Sequence, residues 1–253
     1  MTTIHEQQNA TPLLTSSEIF AKEAEQEFLN TGSCSLNDLL NGGVATGTIT
    51  EVFGEFSTGK TQLALTLTAY VVSSGSKVVY IDTENTFRAK RVVDIAMHRN
   101  LGHNIKENVL VAKPRNTAEM LAVLDTIEEE LKKGKTKLIV VDSLIAHFRA
   151  EFIGREKLAE RQAQLTRFLY KLTYMAEDYN VAVFVTNQAM SSPDNLITDP
   201  VIHLGGKVVS HFCNYRLYLR KGKKGTRVAK LVDACDLPEG EALFKVTPKG
   251  VCD

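Results

Sequence analysis

Residues Gly54 to Thr61 read Gly-Glu-Phe-Ser-Thr-Gly-Lys-Thr, the GxxxxGK[ST] spacing of a phosphate-binding loop, and Gln62 follows. Each residue type in it has a chemical use. Gly54 and Gly59 permit a tight turn that aims the N–H groups of Glu55, Phe56, Ser57 and Thr58 at phosphate oxygens. Lys60 neutralises β/γ-phosphate charge, and Thr61 offers a hydroxyl to Mg²⁺. A helix opening at Lys60 adds its N-terminal dipole. The bland alternative is a glycine loop that matches by chance. Here the stretch follows a predicted strand and opens a predicted helix, the context the motif requires. An ATP site with Mg²⁺ is expected.

Three further fragments carry groups that could serve such a site. Asp142 ends the apolar run "KLIVVD", where a carboxylate can hold Mg²⁺ through water or simply cap a turn. "YIDTENTFR" places Asp82 and Glu84 after the strand that follows the phosphate-loop helix. A carboxylate there can activate water for attack on the γ-phosphate; a surface acid is the alternative. "VFVTNQ" ends in Asn187 and Gln188. Gln188 can sense the γ-phosphate, or it can satisfy loop backbone.

The elements that must hold these residues alternate. From Thr48, apolar runs ("TITEVFG", "KVVYID", "NVLVAK", "KLIVVD", "VAVFVTN") alternate with helical segments, among them 158–179. Strands apolar throughout are expected when both sheet faces are covered, so a mostly parallel sheet with right-handed crossovers is predicted. "CNYRLYLRK", "TRVAKLVD" and "ALFKVT" have no helices between them and predict an antiparallel extension. The fold class is α/β with one core, residues 30–253, behind a leader, residues 1–29, that carries a short helix over 16–29. The chain has 30 basic and 30 acidic side chains, so net charge argues for no polyanionic partner. The four cysteines are scattered, which reads as reduced, cytoplasmic thiols rather than a metal site. No run is long and apolar enough to suggest a membrane partner.

Taken together, "EVFGEFSTGKTQLALTL", "YIDTENTFR", "RAEFIGREKLAERQ", "VAVFVTNQ", "RLYLRKGK" and "LPEGEALFKVTPKGV" resemble the ATPase core of the archaeal and eukaryotic strand-exchange recombinases, the RadA-type branch of the RecA superfamily. The resemblance runs from about Asn30 to Asp253. It implies a DNA-dependent ATPase that forms filaments on single-stranded DNA and pairs it with homologous duplex, in the cytoplasm or at a nucleoid. It implies Glu84 as the water-activating carboxylate, Gln188 as the γ-phosphate sensor and Arg91 against the adenine. ATP would lie between protomers, capped by the neighbour's Asp233 and Pro238, with its His211 reaching the γ-phosphate. Read alone, His211 is a strand-start or core histidine. Two DNA loops are implied. The first spans about Arg149 to Arg161 and carries Arg149, Arg155 and Arg161; the second spans Ala189 to Gly206 and includes His203, Gly205 and Gly206. Other recombinases or mediators are further partners.

The chain departs from the family in three places. Full-length members carry an N-terminal helix-hairpin-helix domain. Only about thirty residues precede the core here, as in a naturally short paralogue or a truncated form. Leu13 and Ser16 stand where members have the Phe and Ala of a Phe-x-x-Ala polymerisation segment. Between Gln188 and Gly205 there is no Lys or Arg. These differences leave an accessory paralogue, which binds ATP and modulates a filament without exchanging strands, as the alternative to a full recombinase.

Overall fold

Each apolar run becomes a strand of one sheet, and the helices between them cover its two faces. The computed structural model describes residues 13–102, 105–191, 201–203 and 206–253, with the backbone alone at 190–191 and 201–203. Ahead of the sheet come α1 (Ser16–Glu23), β1 (Phe28–Leu29), α2 (Cys34–Leu39) and β2 (Val44–Ala45). The alternating part follows as β3 (Ile49–Gly54), α3 (Lys60–Ser73), β4 (Lys77–Asp82), α4 (Ala89–His98), β5 (Val109–Ala112), α5 (Thr117–Leu131) and β6 (Thr136–Asp142). Then come α6 (Ala146–Glu151), α7 (Leu158–Tyr179), β7 (Ala182–Ser191), β8 (Val201–His203) and α8 (Gly206–Phe212). Strands β9 (Tyr215–Lys221), β10 (Arg227–Ala234), β11 (Gly240–Thr247) and β12 (Gly250–Cys252) close the chain.

The sheet order is β12-β11-β10-β9-β3-β7-β6-β4-β5, with β8 paired to β7. Strands β9 to β5 in that order are mutually parallel, and β10 to β12 are antiparallel, as the sequence predicted. This is the architecture of a RecA-like core. Helices α2, α3 and α4 bury their apolar sides in one core, which includes Leu36, Leu63, Leu67 and Ile95. Helices α5 to α8 bury theirs in the other, with Leu124, Phe148, Phe168 and Val209. No helix among the described residues is long and apolar enough to cross a membrane.

Tertiary contacts redraw four expected segments. The leader helix begins with a capping box, in which Thr15 and Glu18 bond each other's backbone, but it stops at Glu23. Beyond it Gln26 Nε2 donates to Thr46 O at 2.8 Å and Glu27 N to Thr46 Oγ1 at 2.9 Å, which draws Phe28–Leu29 into a ribbon with β2. The stretch 189–206 is expected as a loop. Instead β7 continues to Ser191 and pairs antiparallel with β8; residues 192–200 and 204–205 lie outside the described residues. Arg149 belongs to a helix, α6, and Arg161 to α7, so the stretch expected as the first DNA loop is a short connector between two helices. His211 is neither a strand start nor a core residue: it is exposed in the last turn of α8.

Candidate active site

The carboxyl ends of β3, β4, β6 and β7 meet at one edge of the sheet. Gly54 is the register partner of Gln188, and Asp82 that of Asp142. In a sheet of this kind the ligand crevice opens beyond those ends. Phe56, Lys60, Thr61, Glu84, Asp142 and Gln188 line a single cleft there, so fragments far apart in sequence converge.

The phosphate loop keeps its shape through two glycines. A Cβ on Gly54 would lie 2.3 Å from Leu219 O of β9, so only glycine lets the neighbouring strand approach. Gly59 has φ +106°, in the left-handed region, and starts α3 without a side-chain cap. The first N–H groups of α3 therefore have no side-chain acceptor at the cleft. Thr58 Oγ1 donates to Glu55 O at 2.9 Å and braces the turn. Lys60 Nζ donates to Gly54 O and Glu55 O, each at 2.9 Å. Burial pulls the Lys60 pKa below its ordinary value, while Asp142 and Glu84 oppose that shift. An ammonium resting on loop carbonyls beside an uncapped helix start fits a polyphosphate.

Asp142 is buried, with one carboxylate oxygen accepting from Thr186 and the other from Tyr80 Oη at 2.7 Å. Burial and the Asp142 charge push the Tyr80 phenol well above its usual range, so it remains a donor. With both oxygens already bonded to protein, Asp142 suits a divalent ion held through water, and Thr61 lines the same cleft. Glu84 Oε1 accepts from Ser143 Oγ at 2.5 Å and from Gln188 Nε2 at 3.1 Å, which joins the expected base to the expected sensor. Asp82 is different. Its oxygens accept from Thr86 N at 2.9 Å and Phe87 N at 3.2 Å, so it caps a turn and is not available as the base.

Arg91 is tied down at the rim. It donates to Gln62 Oε1 at 2.9 Å, Thr247 O at 2.7 Å and Pro248 O at 2.8 Å. These bonds fix the plane of the guanidinium and leave its faces for stacking. Asp233, Pro238 and His211 are exposed and line no part of the chain's own cleft. Arg149 and Arg155 are exposed, and Arg161 is half-buried. Glu151, one of the acids interleaved with them, is committed to Thr117 N at 2.6 Å, capping α5. Gly206 opens α8 with φ +65°. His203 lies on β8, and Gly205 falls outside the described residues. Leu13 is fully exposed and Ser16 is an exposed residue at the start of α1.

Several groups in the site carry no motif. Ser143 and Thr186 hold Glu84 and Asp142, Tyr80 supports Asp142, and Arg227 reaches the cleft from β10. Glu51 and Arg216 form a buried ion pair beneath it. Their signal in the sequence is an acid inside the apolar strand "TITEVFG" and a base inside "YRLYL". Opposite charges in two buried strands must find each other.

A family model described as Rad51 matches residues 23–253. The chain is also 43% identical over 249 residues, 95% of its length and 72% of the other's, to "Meiotic recombination protein DMC1 homolog B" of Oryza sativa subsp. japonica. That relative is a plant protein, so the likeness supports the wider family and adds nothing for its archaeal branch. Matched over nearly all its length by the family model and by a recombination protein, the chain belongs to the Rad51 family of recombinases.

Proposed function

We propose that the chain is an ATP-dependent DNA recombinase that assembles on single-stranded DNA and promotes pairing and strand exchange with homologous duplex. The observation that carries this reading is the division of the site. Lys60, Thr61, Glu84, Asp142 and Gln188 converge in one cleft, while Asp233, Pro238 and His211 stand exposed away from it. Exposed groups that lie off their own cleft are available to complete the site of a second copy, which supports this reading. When bound, ATP supplies the phosphoryl group and Mg²⁺ neutralises phosphate charge. Lys60 leaves its loop carbonyls for phosphate oxygens. Glu84 takes a proton from water at a carboxylate oxygen, and Gln188, bonded to Glu84, links that base to the occupancy of the γ-phosphate position.

Self-association has structural support at the far edge of the sheet. Strand β5 is the last strand and leaves one side unpaired among the described residues, beside a pocket lined by Val79, Leu110, Val123 and Ile127. Leu110 and Val111 are 37% and 39% exposed there. Leu13 of a second copy is an apolar side chain with no contact of its own to lose. Exposed Arg149 and Arg155, with Arg161, supply the charge for DNA phosphates. The setting is the cytoplasm, nucleoid or nucleus, with other recombinases or mediators as further partners.

The test is a strand-exchange assay with ATP and Mg²⁺. Joint molecules should form, vanish in Lys60→Ala, and accompany ATP turnover stimulated by single-stranded DNA. Absence of both would refute the reading. The missing Lys and Arg between Gln188 and Gly205 favour a second reading, an accessory paralogue. It predicts ATP binding without exchange, and an altered rate when the chain is added to another recombinase.

A further inference from the structure

Glu51 of β3, Asn187 of β7 and Arg216 of β9 place a polar cluster inside the sheet. Glu51 and Asn187 are fully buried and Arg216 is 6% exposed. Glu51 Oε2 accepts from Arg216 Nε at 2.7 Å, and Glu51 Oε1 accepts from Asn187 Nδ2 at 2.8 Å. The Arg216 guanidinium lies over the Phe53 ring, 5.2 Å from its centroid. A buried ion pair contributes little stability that a well-packed apolar pair would not. The cluster therefore calls for a use other than stability.

Its two ends supply one. At one end Asn187 Oδ1 accepts the backbone N–H of Gln188 at 2.9 Å, and the Gln188 side chain reaches Glu84 at 3.1 Å. At the other end Arg216 Nη1 stands 3.9 Å from Asp233 Oδ2, within ion-pair reach but beyond a hydrogen bond. Arg216 Nη2 is buried without a hydrogen-bond partner. Asp233 is the register partner of Arg216, and the β9–β10 ladder slips between Leu231 and Asp233. A bulge there re-aims the side chain it carries. The guanidinium thus has a spare donor in Nη2, next to the Nη1 that faces Asp233 Oδ2 across 3.9 Å at the ladder's slip. A buried donor left unmade is costly, which favours the closer arrangement whenever Asp233 can take it.

We infer that Glu51, Asn187 and Arg216 are positioning residues that couple the γ-phosphate end of a protomer's own nucleotide cleft to the Asp233 cap it lends to its neighbour. The inference rests on the reading of Asp233 as that cap. Occupancy sensed at Gln188 shifts Asn187 and Glu51, and Arg216 then draws Asp233 in or releases it. The two-position element is the Arg216–Asp233 contact, open at 3.9 Å in this structure.

The experiment uses the full chain on single-stranded DNA with Mg²⁺, following ATP turnover against ATP concentration. The affinity of the dispersed chain for a fluorescent ATP analogue is measured alongside. The unsubstituted chain should show sigmoidal turnover that depends on assembly. Asn187→Leu cuts the link to Gln188 and keeps the ion pair. Glu51→Gln with Arg216→Met removes both charges together and guards against misfolding of the single variant. In both, turnover should become hyperbolic, with half-saturating ATP raised about fivefold or more, the size of an ordinary coupling. Dispersed-chain affinity should stay within about twofold, inside the smallest such coupling. Sigmoidal turnover that survives both substitutions overturns the coupling and leaves the shared site standing. Hyperbolic turnover in the unsubstituted chain, indifferent to protein concentration, removes the shared site and the coupling with it.

Discussion

Replacing Glu84 with Gln separates chemistry from binding. The side chain keeps its volume, and an amide carbonyl can accept the same two bonds, from Ser143 Oγ at 2.5 Å and Gln188 Nε2 at 3.1 Å. What disappears is the basic oxygen. A positioned general base contributes about 10²–10⁴ in rate, which is about 3–5 kcal/mol of barrier at 1.36 kcal/mol per decade. Against this, turning two charge-assisted hydrogen bonds into neutral ones costs about 1 kcal/mol each, and that loss falls on the protein with or without nucleotide. Single-turnover hydrolysis on single-stranded DNA should therefore fall about 10²–10⁴-fold, while ATP affinity changes by less than about fivefold, the equivalent of roughly 1 kcal/mol. Asp82→Asn is the control. Asp82 bonds Thr86 N and Phe87 N and lines no part of the cleft, so its loss should lower the melting midpoint more than the chemical step. Turnover within threefold of normal in Glu84→Gln, or a fall in affinity as large as the fall in rate, would refute Glu84 as the base.

Other perturbations probe the frame around it. Gly54→Ala puts a Cβ 2.3 Å from Leu219 O and 3.0 Å from Thr58 Oγ1. Overpacking of about 1–3 kcal/mol should lower the melting midpoint by about 2–12 °C in a chain of this size; an unchanged midpoint with unchanged ATP affinity contradicts the close approach of β9. Leu13→Glu removes an apolar contact worth about 1.5–3 kcal/mol, so light scattering should show assembly weakened about tenfold or more, and assembly of normal size would exclude Leu13 from the contact. Asp253 holds the start of α2 through Ser33 Oγ at 2.6 Å, Cys34 N at 3.0 Å and Ser35 N at 3.1 Å, with its pKa lowered to about 2, chiefly by the Ser33 hydroxyl. The folded-state pKa lies below the ordinary value of about 3.9, so this stabilisation is full above pH 4 and is lost as pH falls through about 2. Asp253→Asn should cost about 1 kcal/mol at pH 7, since solvent screens the exposed carboxylate. Denaturant titrations should show the gap to the unsubstituted chain narrowing below pH 4, and a gap that does not vary with pH would rule the cap out.

The parallel sheet was legible because strands covered on both faces read as unbroken apolar runs, and α7 was legible at both ends, Leu158 and Tyr179. The short elements were not. β1, β2 and β8 have two or three residues each and exist through partners elsewhere in the chain, Thr46 for the first ribbon and the end of β7 for the hairpin. His211 was misread for the same reason: seven residues of α8 carry too little periodicity to announce a helix. In the site, Lys60, Asp142 and Gln188 could be placed from sequence because each ends or follows a strand of the parallel set. "YIDTENTFR" by itself left Asp82 and Glu84 open and the resemblance pointed to Glu84; the bonds from Thr86 N and Phe87 N then show Asp82 to be committed. Ser143, Thr186 and Tyr80 are unremarkable residue types made functional by what they touch.

The central claim is that nucleotide joins protomers on DNA. Electron microscopy of the full chain with single-stranded DNA, Mg²⁺ and a non-hydrolysable ATP analogue tests it most directly. The account predicts regular helical filaments that disperse when the analogue is withheld and when Leu13 is replaced by Glu. Particles that remain single or closed as rings, with no salt-dependent affinity for the DNA, would contradict it.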